Sequence, residues 1–158
     1  MSQIIEFFNE GFLKLHTKSL EMLDLLAPVE LYLRPKNGSG TLLPLSTGEY
    51  LLRAAAAVEQ TAGGITRRLW DDPFEWTLPE KLSTKELVAE YISEVELARR
   101  EAFQFFASDD DLCRLIPSPD GFLPIGRILT DTIVRASHYQ GRAFAAFQLL
   151  TGKKPPRF

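Results

Sequence analysis

The chain has one cysteine and two histidines among 158 residues. A single thiol, Cys113, excludes an internal disulfide and suits a reducing compartment. Neither charge sign dominates. A formal charge of −3 and a pI near 5.5 argue against the basic face that nucleic acid requires, so no nucleic-acid partner is expected. No run approaches the roughly 18 apolar residues of a membrane-spanning helix; LLRAAAAV is short and closely flanked by charge, so no membrane partner is expected either. MSQIIEFFNE lacks a basic stretch followed by an apolar one and predicts no secretory signal. These absences predict a cytoplasmic protein. Nucleophilic catalysis has no supporting constellation: there is no Gly-x-Ser-x-Gly, and the one thiol has no evident base.

What is present is the composition of a globular domain, 45% hydrophobic and 25% charged, at a length that fits one domain over residues 1–158. Apolar residues at Ile5, Phe8, Phe12, Leu15, Leu20, Leu23 and Leu26 predict a first helix from Ser2, its N-cap, to about Leu26. Pro28 opens a connection to Leu45, in which RPKNGSGT concentrates chain breakers and predicts an exposed, mobile loop over one end of the molecule. Ser46, Thr47 and Glu49 start a second helix that runs to about Trp70. Its stripe of Ala54, Ala57, Thr61 and Gly64 lets a neighbouring helix approach closely, and Gly63–Gly64 permit packing or a kink, with no Walker-type lysine following. DDPFEWTLPEKLST is broken by two prolines and predicts a flap carrying Phe74, Trp76 and Leu78.

Ser83 or Thr84 begins a third helix to about Ala107. Its expected inner face is Leu87, Tyr91, Glu94 or Val95, Ala98, Ala102, and Phe105 or Phe106. Glu90, Glu94, Glu96, Arg99, Arg100 and Glu101 read as a solvated face. Asp109–Asp111 lack the spacing of a calcium loop and read as a helix end followed by the cap of a short turn. Cys113, between apolar neighbours, reads as a buried small residue. Pro117, Pro119 and Gly121 close the last loop, and a fourth helix runs from near Pro124 to just before Gly152. Four helices without strand alternation predict an all-α bundle.

On the fourth helix, Thr132, Arg135, Tyr139 and Arg142 fall near the predicted seam, with His138 rotated about 100° from Tyr139. The segment HYQGRAFAAFQLLTGKKPP, together with the GEYLL start of the second helix, the helix order and the Pro-Pro tail, resembles the DinB/YfiT-like superfamily. That resemblance implies an up-down-down-up four-helix bundle, commonly a homodimer. It also implies a divalent metal held by one histidine of the second helix and a histidine pair of the fourth; some such relatives are thiol transferases.

Aligned on Gly141, the histidine pair falls on Arg135 and Tyr139 and the remaining histidine on Arg53 or Ala54. Two histidines in other places cannot rebuild the site, and a guanidinium offers no lone pair. The expectation is therefore a protein with no metal and no cofactor. In the family's geometry Arg53, Arg135 and Tyr139 converge at the degenerate metal site with Glu59 about two turns along. Such a set suits a small anionic ligand, or forms an internal Arg–Glu–Tyr network. The competing reading is a metal-dependent thiol transferase or hydrolase with an unconventional ligand set, His138 with Glu59 or Asp131, which requires His138 to face the bundle interior.

Overall fold

The computed structural model describes residues 2–36 and 43–157. Most of the loop expected to be mobile (residues 37–42) lies outside them. Among the described residues are four α-helices and one small hairpin: α1 (Gln3–Leu25), α2 (Thr47–Arg67), α3 (Lys85–Phe103), β1 (Leu115–Ser118), β2 (Gly121–Pro124) and α4 (Ile125–Thr151). Short 3-10 turns lie at Pro28–Glu30, Pro73–Glu75 and Asp109–Cys113. None of the helices is long and apolar enough to cross a membrane.

Local chemistry sets the helix ends. Ser46 and Glu49 form a reciprocal capping box, each side chain accepting the other residue's backbone N–H, at 3.2 and 2.8 Å. Thr84 caps α3 through the Leu87 N–H, and Gly152, at φ 70°, ends α4. Ser2 precedes α1 as expected, but its hydroxyl turns to Asp109, whose carboxylate accepts the Ile5 N–H at 3.2 Å. Asp111 accepts the Ala107 and Ser108 N–H groups, and these bonds hold its pKa below the ordinary aspartate value. Two of the three consecutive aspartates thus serve backbone donors.

α2 stops three residues short of the expected Trp70. Arg68 takes a left-handed conformation (φ 59°), and the Leu69 N–H returns to the Gly63 carbonyl. The chain then folds Trp70 back over Gly64, where a Cβ would lie 2.4 Å from the indole ring. The close approach that Gly64 permits is therefore made by the segment following its own helix.

α2 packs most extensively on α4 and next on α3. The core is Ile5, Met22 and Leu23 of α1, Tyr50 and Leu51 of α2, Val88 of α3, and Ile125, Leu129 and Phe147 of α4. Phe12, Phe103 and Phe106 meet edge to face at 5.8 and 5.3 Å between centroids.

Four expectations are corrected here. The loop expected around Pro117–Gly121 is an antiparallel hairpin, with Ser118 opposite Gly121 and Ile116 buried. The α3 face is corrected in part: Tyr91, Val95, Ala102 and Phe106 are buried as expected and Val88, Ile92 and Phe103 join them, while Leu87 is exposed. Glu96 and Arg99, expected in solvent, are buried with them, because they satisfy one another. Cys113 is exposed rather than buried. Iodoacetamide is accordingly expected to add one carbamidomethyl group to the native protein, read by intact mass; protection until denaturant is added would place the thiol inside.

Candidate functional site

α2 and α4 lie side by side, and three contacts fix their register. The Thr132 hydroxyl donates to the Ile128 carbonyl at 2.8 Å, leaving Thr61 as the donor in the buried 2.6 Å contact between the two threonines. Arg135 donates to the Ala57 carbonyl at 3.5 Å and the Gln60 Oε1 at 3.3 Å. Arg142 sits over the Tyr50 ring, 6.0 Å from its centroid. The seam of α4 is Ile125, Ile128, Leu129, Thr132, Ala136, Gln140, Ala143, Phe144 and Phe147. Arg135, expected on it, is exposed, and Tyr139 is half-buried.

Arg53, Arg135 and Tyr139 nevertheless line one recess of about 240 Å³ beside the seam, with Ala56, Ala57 and Gln60 of α2. The strap between α2 and α3 closes it through Asp72 and Pro73. Asp72 caps the strap's 3-10 turn, accepting the Phe74 N–H at 3.1 Å. The Arg53 side chain has no hydrogen bond or ion pair to another described residue, and the Arg135 side chain has only the two neutral acceptors above. Two cationic side chains thus face one carboxylate. Gln60 and Asp72 were not foreseen as members. Gln60, seven residues beyond Arg53, shares its helical face, a signal the sequence contains; Asp72 arrives only through the fold of the strap.

Glu59 stands apart from this recess. Its carboxylate accepts the Tyr91 hydroxyl at 2.5 Å and the Trp76 indole N–H at 3.2 Å, tying the strap to α3 and α2. Burial, then the bond to Glu59 and its charge, push the Tyr91 phenol far above its ordinary pKa. The expected internal Arg–Glu–Tyr network therefore does not form around Arg53 and Arg135; Glu59 makes its own.

The recess adjoins two larger ones. One, of about 380 Å³, shares Arg53, Ala56 and Asp72 and is walled by Leu45, Leu52, Phe74 and Leu78. The other, of about 370 Å³, shares Gln60 and Arg135 and includes Trp70, Asp120, Asp131 and Thr132. Together they make a groove along α2.

A separate small cavity, about 30 Å³, lies where all four helices meet, lined by His16, Ser19, Glu96 and the small Ala54, Ala55 and Ala136. His16 Nδ1 is buried there without a hydrogen-bond partner among the described residues. Desolvation is the main cause that lowers the His16 pKa.

A metal does not fit the site residues that the resemblance places at its centre. Arg53 and Arg135 carry no lone pair for coordination. Among the described residues, no three His, Cys, Asp or Glu side chains are grouped so as to hold an ion. His138 is exposed, edge-on to the Tyr139 ring at 5.9 Å, rather than facing the interior. Asp131 pairs with Arg127 at 2.7 Å. No protein-family model, curated protein or solved structure matches this chain.

Proposed function

We propose that this chain is a bundle of the DinB/YfiT-like type, in up-down-down-up order, that binds a small anionic ligand, a carboxylate or phosphate, in the groove between α2 and α4. The helix order is supported by pairwise contacts. Gly11 faces Ile133, and Gln140 donates to the Leu15 carbonyl, so residue numbers rise together along α1 and α4. Thr61 with Thr132 and Tyr50 with Arg142 run oppositely along α2 and α4, as do Asn9 with Arg99 and Leu26 with Lys85 along α1 and α3.

One observation carries the ligand reading: Arg53 and Arg135 line the same recess, and neither has a carboxylate partner among the described residues. Two guanidinium groups facing the single carboxylate of Asp72 leave positive charge in excess at a concave surface, which favours an anion, and a guanidinium fork matches carboxylate or phosphate in two hydrogen bonds. The Tyr139 hydroxyl, in the same wall, supplies a further donor.

The test is calorimetric titration with inorganic phosphate and with acetate at low ionic strength. The wild-type protein is expected to bind at least one of them, and R53Q and R135Q each to weaken it by about tenfold, a modest charge-assisted bond's worth. Both side chains are exposed, so both variants should keep the wild-type melting temperature. Undiminished binding in the double variant would overturn the reading.

A further inference from the structure

Resting on that anion site, we infer the class of ligand: a carboxylate bearing an apolar tail, with the carboxylate at Arg53 and the tail lying under the strap against Leu52, Phe74 and Leu78.

The two recesses that flank the cationic one differ in chemistry. On the Trp70 side the wall carries Asp120 and Asp131, the latter paired with Arg127 at 2.7 Å, and such charged groups favour water over an apolar substituent. On the other side Leu45, Leu52, Phe74, Leu78 and Pro79 make the apolar part of the wall, and the recess is continuous with the cationic one through Arg53, Ala56 and Asp72. Three acidic residues lie there: Asp72 accepts the Phe74 N–H at 3.1 Å as the cap of the strap's 3-10 turn, and the other two are paired or exposed. Glu49 is held by Arg34 at 2.7 Å and by the Ser46 N–H, and these bonds keep its pKa below the ordinary glutamate value against the opposing effect of burial. Glu80 is exposed.

Phe74 is the informative residue. It is 56% exposed although it forms part of a concave wall. A large aromatic ring in solvent is unremarkable alone. Here it stands next to an unpaired guanidinium, so one end of the groove rewards burial of methylenes and the other rewards negative charge. A recess of about 380 Å³ falls within the roughly 300–1,000 Å³ of small-molecule sites.

The experiment titrates the full chain with acetate, butanoate, hexanoate and octanoate, and with hexan-1-ol as the uncharged control. A buried methylene adds about fourfold to affinity. In a groove open on one side, hexanoate is expected to bind about tenfold or more tighter than acetate, to exceed hexanol, and to lose that binding in R53Q. Filling the recess with L78W is expected to cut the hexanoate-to-acetate ratio at least threefold, which locates the tail.

Carboxylate binding that depends on Arg53 but not on chain length would overturn the tail and leave the anion site standing. Chain-length dependence that R53Q does not alter, or hexanol binding as well as hexanoate, would overturn the pairing of head and tail. Binding of neither carboxylates nor inorganic phosphate would remove the anion site itself.

Discussion

Replacing Glu96 by alanine is expected to destabilise the fold by about 3–4 kcal/mol, because it leaves the Arg99 guanidinium buried without its counter-charge. Arg99 is 3% exposed. Its Nε donates to Glu96 Oε2 at 3.2 Å and its Nη2 to Oε1, while Arg100 Nε reaches Oε1 at 2.8 Å. After the substitution Arg99 would keep Asn9 Oδ1 and the Phe103 and Phe12 rings, 4.9 and 6.0 Å from the guanidinium carbon, but no counter-charge in hydrogen-bond contact. For a chain of this length the loss is about 2–4 °C in Tm per kcal/mol, so calorimetry should show a fall of about 6–16 °C. The exposed partner gives the contrast: R100A should cost under about 1 kcal/mol. A loss below 1 kcal/mol in E96A as well would mean that the pair is solvated.

The same pair sets a pH dependence. Burial pushes the Glu96 carboxyl up, but Arg99 and Arg100 outweigh it, so the folded-state value is depressed. Its contribution is complete above the unfolded glutamate value, about 4.3, and is lost as pH falls through the lower folded one. His16, depressed by burial, adds a second window. Below about pH 6.5 the unfolded imidazole takes a proton before the folded one does, so stability starts to decline there. Denaturant titrations between pH 8 and 4 should show that upper slope in wild type and not in H16Q.

Gly48→Ala is the second large effect, about 2–3 kcal/mol. A Cβ at this position would lie 2.6 Å from the Leu31 carbonyl oxygen and 2.9 Å from both Leu31 Cδ1 and Tyr32 Cε1. The Gly48 N–H donates to that same carbonyl at 2.9 Å, so the backbones cannot separate without breaking the bond. Overpacking against backbone has no rotamer to relieve it, and costs of 1–3 kcal/mol or more are usual. Guanidinium unfolding should show a lower midpoint at unchanged slope; a midpoint within error of wild type would refute the contact.

The helix starts were legible because capping chemistry is local: Ser46 with Glu49, and Thr84 with the Leu87 N–H, are read three residues at a time. The inward faces of α3 and α4 were legible in part: Tyr91, Val95, Ala102 and Thr132 are buried as expected, while Leu87 and Arg135 are exposed. Glu96 and Arg99 look solvated in sequence, since nothing there shows that they pair and that Asn9, ninety residues away, completes the set. On α4, Ala136 and Gln140 form part of the inward face, and neither carries a strong apolar signal. Gln140 is fully buried because the Leu15 carbonyl and Ser19 hydroxyl, both on α1, accept its amide. Arg53, Arg135 and Tyr139 were brought to notice by the resemblance, and the structure lines one recess with all three. The flap with Phe74 and Leu78 was expected, but its place over Arg53 and the part of Asp72 were not, because a strap interrupted by prolines has no periodicity from which to infer what it covers.

Trp70 and Trp76 are the only tryptophans in the chain. Trp70 lines one arm of the groove and donates to the Pro117 carbonyl at 3.0 Å. Trp76, 40% exposed, hangs from Glu59 two residues beyond Phe74. Trp70 thus stands in the groove itself and Trp76 on the strap that closes it, with no third indole to dilute them. The emission of the unmodified protein is in effect a spectroscopic gauge of the strap and the groove arm beneath it, while the rest of the bundle is optically silent above the tyrosine band.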